Sequence, residues 1–197
     1  IYDDSETPGI TDPIWSRMHR FIRLWRKLGW TIHETDLMLA ALGEDDITLG
    51  TISKLESVSL LKTDTRRPLN ELSVLWGNID TYGKKSLYKK LFLNRAVQEF
   101  DTAFKADAWG DYLQGTESLA DHKPAILAAF RITEEDLIAI LETAVLDTDT
   151  LNLQNLSVIY RYVVLAKALK MRVIDLCKLI RLFNASPFSI WDNQLEM

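Results

Sequence analysis

Apolar residues recur at helical spacing along most of the chain, and turn-forming residues punctuate them. Ile14, Met18, Phe21, Ile22, Trp25 and Leu28 form one stripe. It follows Asp12-Pro13, where Asp caps free amides and Pro fits a first helical position. Arg20, Arg23 and Lys27 fall on the opposite face, and Gly29 ends the segment. Thr31-Ile32-His33-Glu34 reads as a capping box: the Thr side chain takes one free amide and Glu reaches back to another. Leu37, Met38, Ala41 and Leu42 supply its apolar side before Gly43. Residues Leu49 to Leu61 predict a helix interrupted by Gly50 and rich in Ser and Thr. Pro68 opens a helix through Leu69, Leu72, Leu75 and Trp76, stopped at Gly77; after a loop, a short helix carries Leu87, Tyr88, Leu91 and Phe92.

From Asn94 to Gly115 the aromatic residues Phe100, Phe104, Trp109 and Tyr112 lack a clean period, which predicts a long excursion. Pro124 begins a helix over Ile126, Leu127 and Phe130. Thr133 caps the next, with Glu134, Glu135 and Asp136 in the first turn, where the positive helix end favours acids. Asn155 to Lys170 is apolar almost all round and predicts a central, buried helix. Arg172 to Asn184 predicts a final amphipathic helix closed by Ser186-Pro187. Convincing alternating strand patterns are absent. The expected fold is all-α, an irregular multi-helix bundle of antiparallel amphipathic helices around a buried C-terminal helix. Residues 1–11 form a lead-in, 12–187 a single helical domain and 188–197 a tail.

Ile32-His33-Glu34-Thr35-Asp36-Leu37 echoes Ile132-Thr133-Glu134-Glu135-Asp136-Leu137. The plainer reading is two helix starts built by the same capping rules. A true repeat needs a third copy at a steady period, for which Leu169 to Leu182 is a partial candidate.

Composition narrows the function classes. The formal charge of −5 gives no overall attraction to nucleic acid or anionic lipid. No apolar run approaches the roughly 20 residues that cross a bilayer. Cys177 is the only cysteine, which excludes an intramolecular disulfide and a cysteine zinc site. The chain opens without Met, and Ile1-Tyr2-Asp3-Asp4 lacks the basic start and apolar middle of a signal peptide, so a piece cut from a larger protein is expected.

Reactive constellations are incomplete. His33-Glu34 begins like a zinc-protease motif, but Leu37 stands where the second His is required. His19, His33 and His122 have no ligand spacing. Asp147-Thr148-Asp149 starts like a calcium loop, but Asn152 and Val158 occupy the positions that need Gly and Glu. No Gly-rich phosphate loop or nucleophile elbow is present, and Cys177 reads as a structural thiol within a helix. The expectation is no enzyme, no metal and no cofactor. The remaining functional signal is the basic face of the first helix, with Arg17, Arg20, Arg23, Arg26 and Lys27 near Trp15 and Trp25. It suits a phosphate backbone or an acidic partner surface. The plainer reading is a solvated face, or pairing with acids such as Glu44 and Asp46, and the negative overall charge favours that reading.

Four stretches carry a family likeness. They are Arg20-Phe21-Ile22-Arg23-Leu24-Trp25-Arg26-Lys27-Leu28-Gly29-Trp30; Leu75-Trp76-Gly77-Asn78-Ile79-Asp80-Thr81 with Ser86-Leu87-Tyr88-Lys89-Lys90-Leu91-Phe92-Leu93-Asn94; Leu119-Ala120-Asp121-His122-Lys123-Pro124-Ala125-Ile126-Leu127-Ala128-Ala129-Phe130; and Leu156-Ser157-Val158-Ile159-Tyr160-Arg161. In this order they resemble the helical N-terminal part of Tc toxin A components (insecticidal toxin complexes), a region shared with the Salmonella virulence plasmid A protein family. The similarity runs from about Pro13 to Pro187, and the tryptophan-glycine segment joined to Ser-Leu-Tyr is its most specific element.

The resemblance implies a role rather than a catalytic site. Such A components assemble as pentamers whose helical shell surrounds a translocation channel; they attach to target-cell surfaces and receive a B–C cocoon that carries the enzyme. This chain would be part of that shell, made in the bacterial cytoplasm and secreted. Its partners would be other segments and protomers of the same A component, the B–C cocoon and a host cell surface. Nothing in it matches the channel or the receptor-binding β-domains, and no family residue carries over position by position. The alternatives are a self-standing helical adaptor with an apolar groove for a protein or peptide, and an enzyme whose pocket gathers perturbed ionisable groups.

Overall fold

The computed structural model describes residues 12–99, 101–105, 113 and 117–189. The lead-in 1–11, the tail from 190 onward, and Phe100, Trp109 and Tyr112 of the aromatic excursion lie outside these. Helix accounts for 64% of the described residues. Among the described residues there is no strand, only one isolated antiparallel bridge between Ser118 and Thr150.

The helices are α1 (Asp12–Leu28), α2 (Ile32–Ala41), α3 (Leu49–Thr65), α4 (Leu69–Leu72) with a 3-10 turn (Ser73–Leu75), α5 (Leu87–Phe92), α6 (Arg95–Gln98), α7 (Lys123–Phe130), α8 (Glu134–Thr143), α9 (Leu153–Leu169) and α10 (Val173–Phe183). Helix starts follow local chemistry. The Glu34 amide donates to Thr31 Oγ1 at 3.1 Å and the Thr31 amide to the Glu34 carboxylate at 2.8 Å, completing the predicted box. Thr133 and Asp136 form a second box at the other half of the sequence echo.

A third box, Thr48 with Thr51, starts α3. It makes α3 one continuous helix where an interruption was expected. Gly50 sits in the first turn rather than the middle, and Ser57, Thr63 and Thr65 turn their hydroxyls onto carbonyls four residues earlier.

The Pro68 helix is shorter than expected: one α turn tightens into the 3-10 turn before Gly77. A Cβ on Gly77 would lie 2.9 Å from the Cβ of Ala41 and 3.1 Å from its Cα. Only glycine lets the end of α2 approach this closely. Helix stops differ too. Gly29 ends α1 at φ +67 as expected, but α3, α7, α9 and α10 end on left-handed Arg66, Arg131, Lys170 and Asn184.

Helix α9 is the buried centre, with Leu156, Ile159, Tyr160, Val163 and Val164 among its enclosed residues. Each fully buried aliphatic contributes about 1.5–3 kcal/mol. Rings from distant segments converge beside it. Phe130 lies 4.8 Å from Tyr160 and 5.5 Å from Phe92, which stacks on Phe104 at 4.6 Å. Phe188 packs on Tyr162, so the packed part of the chain continues past residue 187. A smaller core of Trp30, Met38, Leu39, Leu42, Leu55, Val58 and Leu69 lies under α1–α3, and Trp76 packs against both cores.

Polar locks tie α9 to the rest. Ser157 Oγ accepts from the buried Ile79 amide at 2.9 Å. Arg161 donates to the carbonyls of Val74 and Gly77, and Lys167 to that of Phe130. Both cations thereby sit at helix C-terminal carbonyls, the end that favours positive charge. Three of the four stretches with a family likeness thus interlock around α9 through core packing and these bonds.

Candidate interaction surface

Helix α1 has no fully buried residue. It packs on the smaller core through Phe21, Leu24 and Leu28, one flank of its apolar stripe. The rest of the stripe faces outward: Ile14 is 48% exposed, Met18 42% and Ile22 36%. Ile32 and Tyr82, 54% and 78% exposed, continue this surface. With Ile14, Met18 and Ile22 they line an open apolar depression of about 720 Å³.

The depression is held in shape from below. His33 Nε2 lies 3.2 Å from the largely buried Asp80 carboxylate, whose other oxygen accepts from the Tyr82 amide at 3.0 Å. His33 therefore braces α2 against the loop after Gly77, while Glu34 closes the helix start. Burial alone would raise the Glu34 carboxyl. Hydrogen bonds from Thr31, with Lys62 and His33 nearby, outweigh it and hold the group below its usual value.

The predicted basic face divides in two. Arg20, Arg23, Arg26 and Lys27 line a second depression of about 720 Å³ with Leu24, Ile47 and Ile52. Arg17 lines different hollows, against Asp36 and the Glu44–Asp46 turn and beside Ile14 and Met18. Only part of the expected pairing forms. Arg20 meets Asp46 at 2.8 Å and lowers that carboxyl. Glu44 turns instead to Lys54 at 2.7 Å and to Thr51. Arg17, Arg23, Arg26 and Lys27 have no ion pair among the described residues.

The remaining polar residues have structural surroundings. His122 places one ring nitrogen 2.5 Å from Asp101 and the other 3.3 Å from Glu117, pinning the loop that carries Phe104. Asp149 receives the Leu119 amide at the isolated bridge, within the α8–α9 connection. Cys177 is fully enclosed, and burial pushes its thiol up, away from thiolate chemistry. Among the described residues no three His, Cys, Asp or Glu side chains gather as metal ligands, and no helix is long and apolar enough to cross a membrane.

Of the four described tryptophans, only Trp30 is buried; Trp15 is 55% exposed and Trp25 half-buried, its Nε1 donating to the Trp30 carbonyl at 2.8 Å. The largest fully buried rings are Phe and Tyr instead: Tyr88, Phe92, Phe104 and Phe130. An additional cavity of about 520 Å³ between α7 and α8, with Ile126, Leu137, Ile138 and Leu141 in its wall, had no signal in the sequence. Compared with known proteins, the chain matches no family model, no curated protein and no solved structure.

Proposed function

We propose that this chain is a non-enzymatic packing segment of a larger assembly, part of the helical shell of a Tc-type toxin A component. In that role it takes part in attachment to target cells and delivery of the toxin. The observation that carries the packing role is the outward stripe of Ile14, Met18 and Ile22 with Ile32 and Tyr82. Exposed apolar patches of this kind mark surfaces that another polypeptide covers. The toxin context rests on the resemblance of the four motif stretches. Three of them form the framework around α9, which suits a shape-holding role. The partners are other segments and protomers of the same A component, with the B–C cocoon in the full secreted particle.

The test is assembly of the full-length protein carrying Ile14→Ser, Met18→Ser and Ile22→Ser together. The expected result is a lower yield of assembled particles, while the isolated segment keeps its helical spectrum. Unchanged assembly overturns the packing role. The cavity between α7 and α8 favours one other reading, an adaptor that takes an apolar peptide there. Leu141→Lys abolishing partner capture, with assembly intact, would select it.

A further inference from the structure

We propose that the basic flank of α1 is a groove for an acidic amphipathic helix of a neighbouring polypeptide. This rests on the packing role proposed above and names the chemistry of one partner.

Arg20, Arg23 and Lys27 recur at one-turn intervals with Leu24 among them, so they form one edge of α1. Arg26 adds a fourth cation, and Ile47 and the 45% exposed Ile52 bring apolar surface from the turn and α3. Two acids of the adjoining turn are already committed: Asp46 holds Arg20, and Glu44 is turned to Lys54 and Thr51. Three cations therefore surround an apolar floor without a counter-charge among the described residues.

Both properties limit the occupant. A nucleic-acid or polyphosphate backbone satisfies the cations but leaves Leu24, Ile47 and Ile52 wet. A purely apolar helix leaves the guanidinium groups without partners. An amphipathic helix with aliphatic residues on its inner stripe and carboxylates at its edges satisfies both. Its turns share the pitch of α1, so acids three or four residues apart meet successive cations. Groove recognition by a helical stripe of anchors is a recurrent mode, and the charges set its register.

The probe is a fluorescein-labelled designed peptide of about 18 residues, long enough for helical structure, with Leu at i, i+3, i+4 and i+7 and Glu elsewhere. Anisotropy is read against the chain at low salt. Saturable binding is expected, with a dissociation constant on the order of tens of micromolar. It should weaken as salt rises. The double variant R23E/R26E should weaken binding at least about tenfold, whereas R23K/R26K should stay within about threefold of the parent. These side chains are exposed, and circular dichroism checks that each variant keeps its helices. The Ile14→Ser, Met18→Ser, Ile22→Ser variant should bind the peptide normally, which separates failure here from failure of the apolar stripe. Absence of binding overturns the proposal. So does equal binding of a scrambled Glu/Leu peptide, or binding indifferent to R23E/R26E. Equally strong competition by polyphosphate would show a simple polyanion patch and overturn it, as would self-association of the chain that R23E/R26E abolishes.

Discussion

Arg161 reaches from α9 to the carbonyl of Gly77, its Nη2 donating at 3.1 Å while its Nε donates to Val74 at 2.8 Å. One half-buried guanidinium thus terminates the 3-10 turn and fixes the loop that follows it. Burial lowers the Arg161 pKa, but the group still meets two oriented carbonyl dipoles. These offset part of its lost hydration.

Arg161→Met keeps the apolar stem and removes both bonds. The expected loss is about 2–3 kcal/mol in urea unfolding, the scale of hydrogen bonds from a charged donor. Arg161→Lys should recover less than half, because an ammonium lacks the planar fork that spans two acceptors. Full recovery by Lys would show that charge alone matters.

Gly77→Ala forces a methyl against Ala41. A loss of about 1–3 kcal/mol is expected, as for overpacking in a tight core. Ala41→Gly alone costs about 1 kcal/mol through helix propensity. The double variant should be more stable than the sum of the two losses by at least about 0.5 kcal/mol, the sign of a shared contact. Strict additivity would place the strain elsewhere.

Lys170→Gly and Arg131→Gly should stabilise the chain. Both residues hold left-handed backbone at helix ends, φ 56 in each case, with exposed side chains. Relief of side-chain strain exceeds the extra entropy of unfolded glycine, for a net gain of about 0.5–1 kcal/mol each. A shift of the thermal midpoint downward would refute this.

Acid stability should depend on Glu34. Its folded pKa lies below the ordinary 4.5, so its contribution is present above about that pH and fades as pH falls through the depressed folded value. Glu34→Gln should flatten this part of the stability–pH curve. The flattening is under about 0.5 kcal/mol, because the pair is largely solvent-screened. An unchanged slope between neutral and acid pH would remove Glu34 from the account.

Helix α1 should open before the centre of the fold. Backbone amides of α1 should exchange with solvent at least about tenfold faster than those of α9, since α1 has no buried residue. Trp25→Ala should cost about 2 kcal/mol, less than a fully enclosed aromatic. Arg23→Ala should cost under about 0.5 kcal/mol. Similar exchange in both helices would show that α1 is held by more than Phe21, Leu24 and Leu28.

Sequence alone determined the all-helical class, the capping box at Thr31, the cap at Thr133, and α9 as the buried centre. These depend on interactions three or four residues apart, or on one apolar surface, and a linear pattern carries both. It also singled out the cations of α1, because their spacing is local. Tertiary structure decided everything that joins distant segments. Gly77 read as a helix stop, yet its missing side chain matters because Ala41 arrives beside it. Arg161 and Lys167 lie in a segment that read as apolar almost all round, but they hold carbonyls far away in sequence. The apolar stripe of α1 predicted burial, and only the packing angle showed that Ile14, Met18 and Ile22 stay outside. Arg17 parted from Arg23 for the same reason: periodicity states which residues share a face, while the neighbours that α2 and α3 supply determine what that face meets.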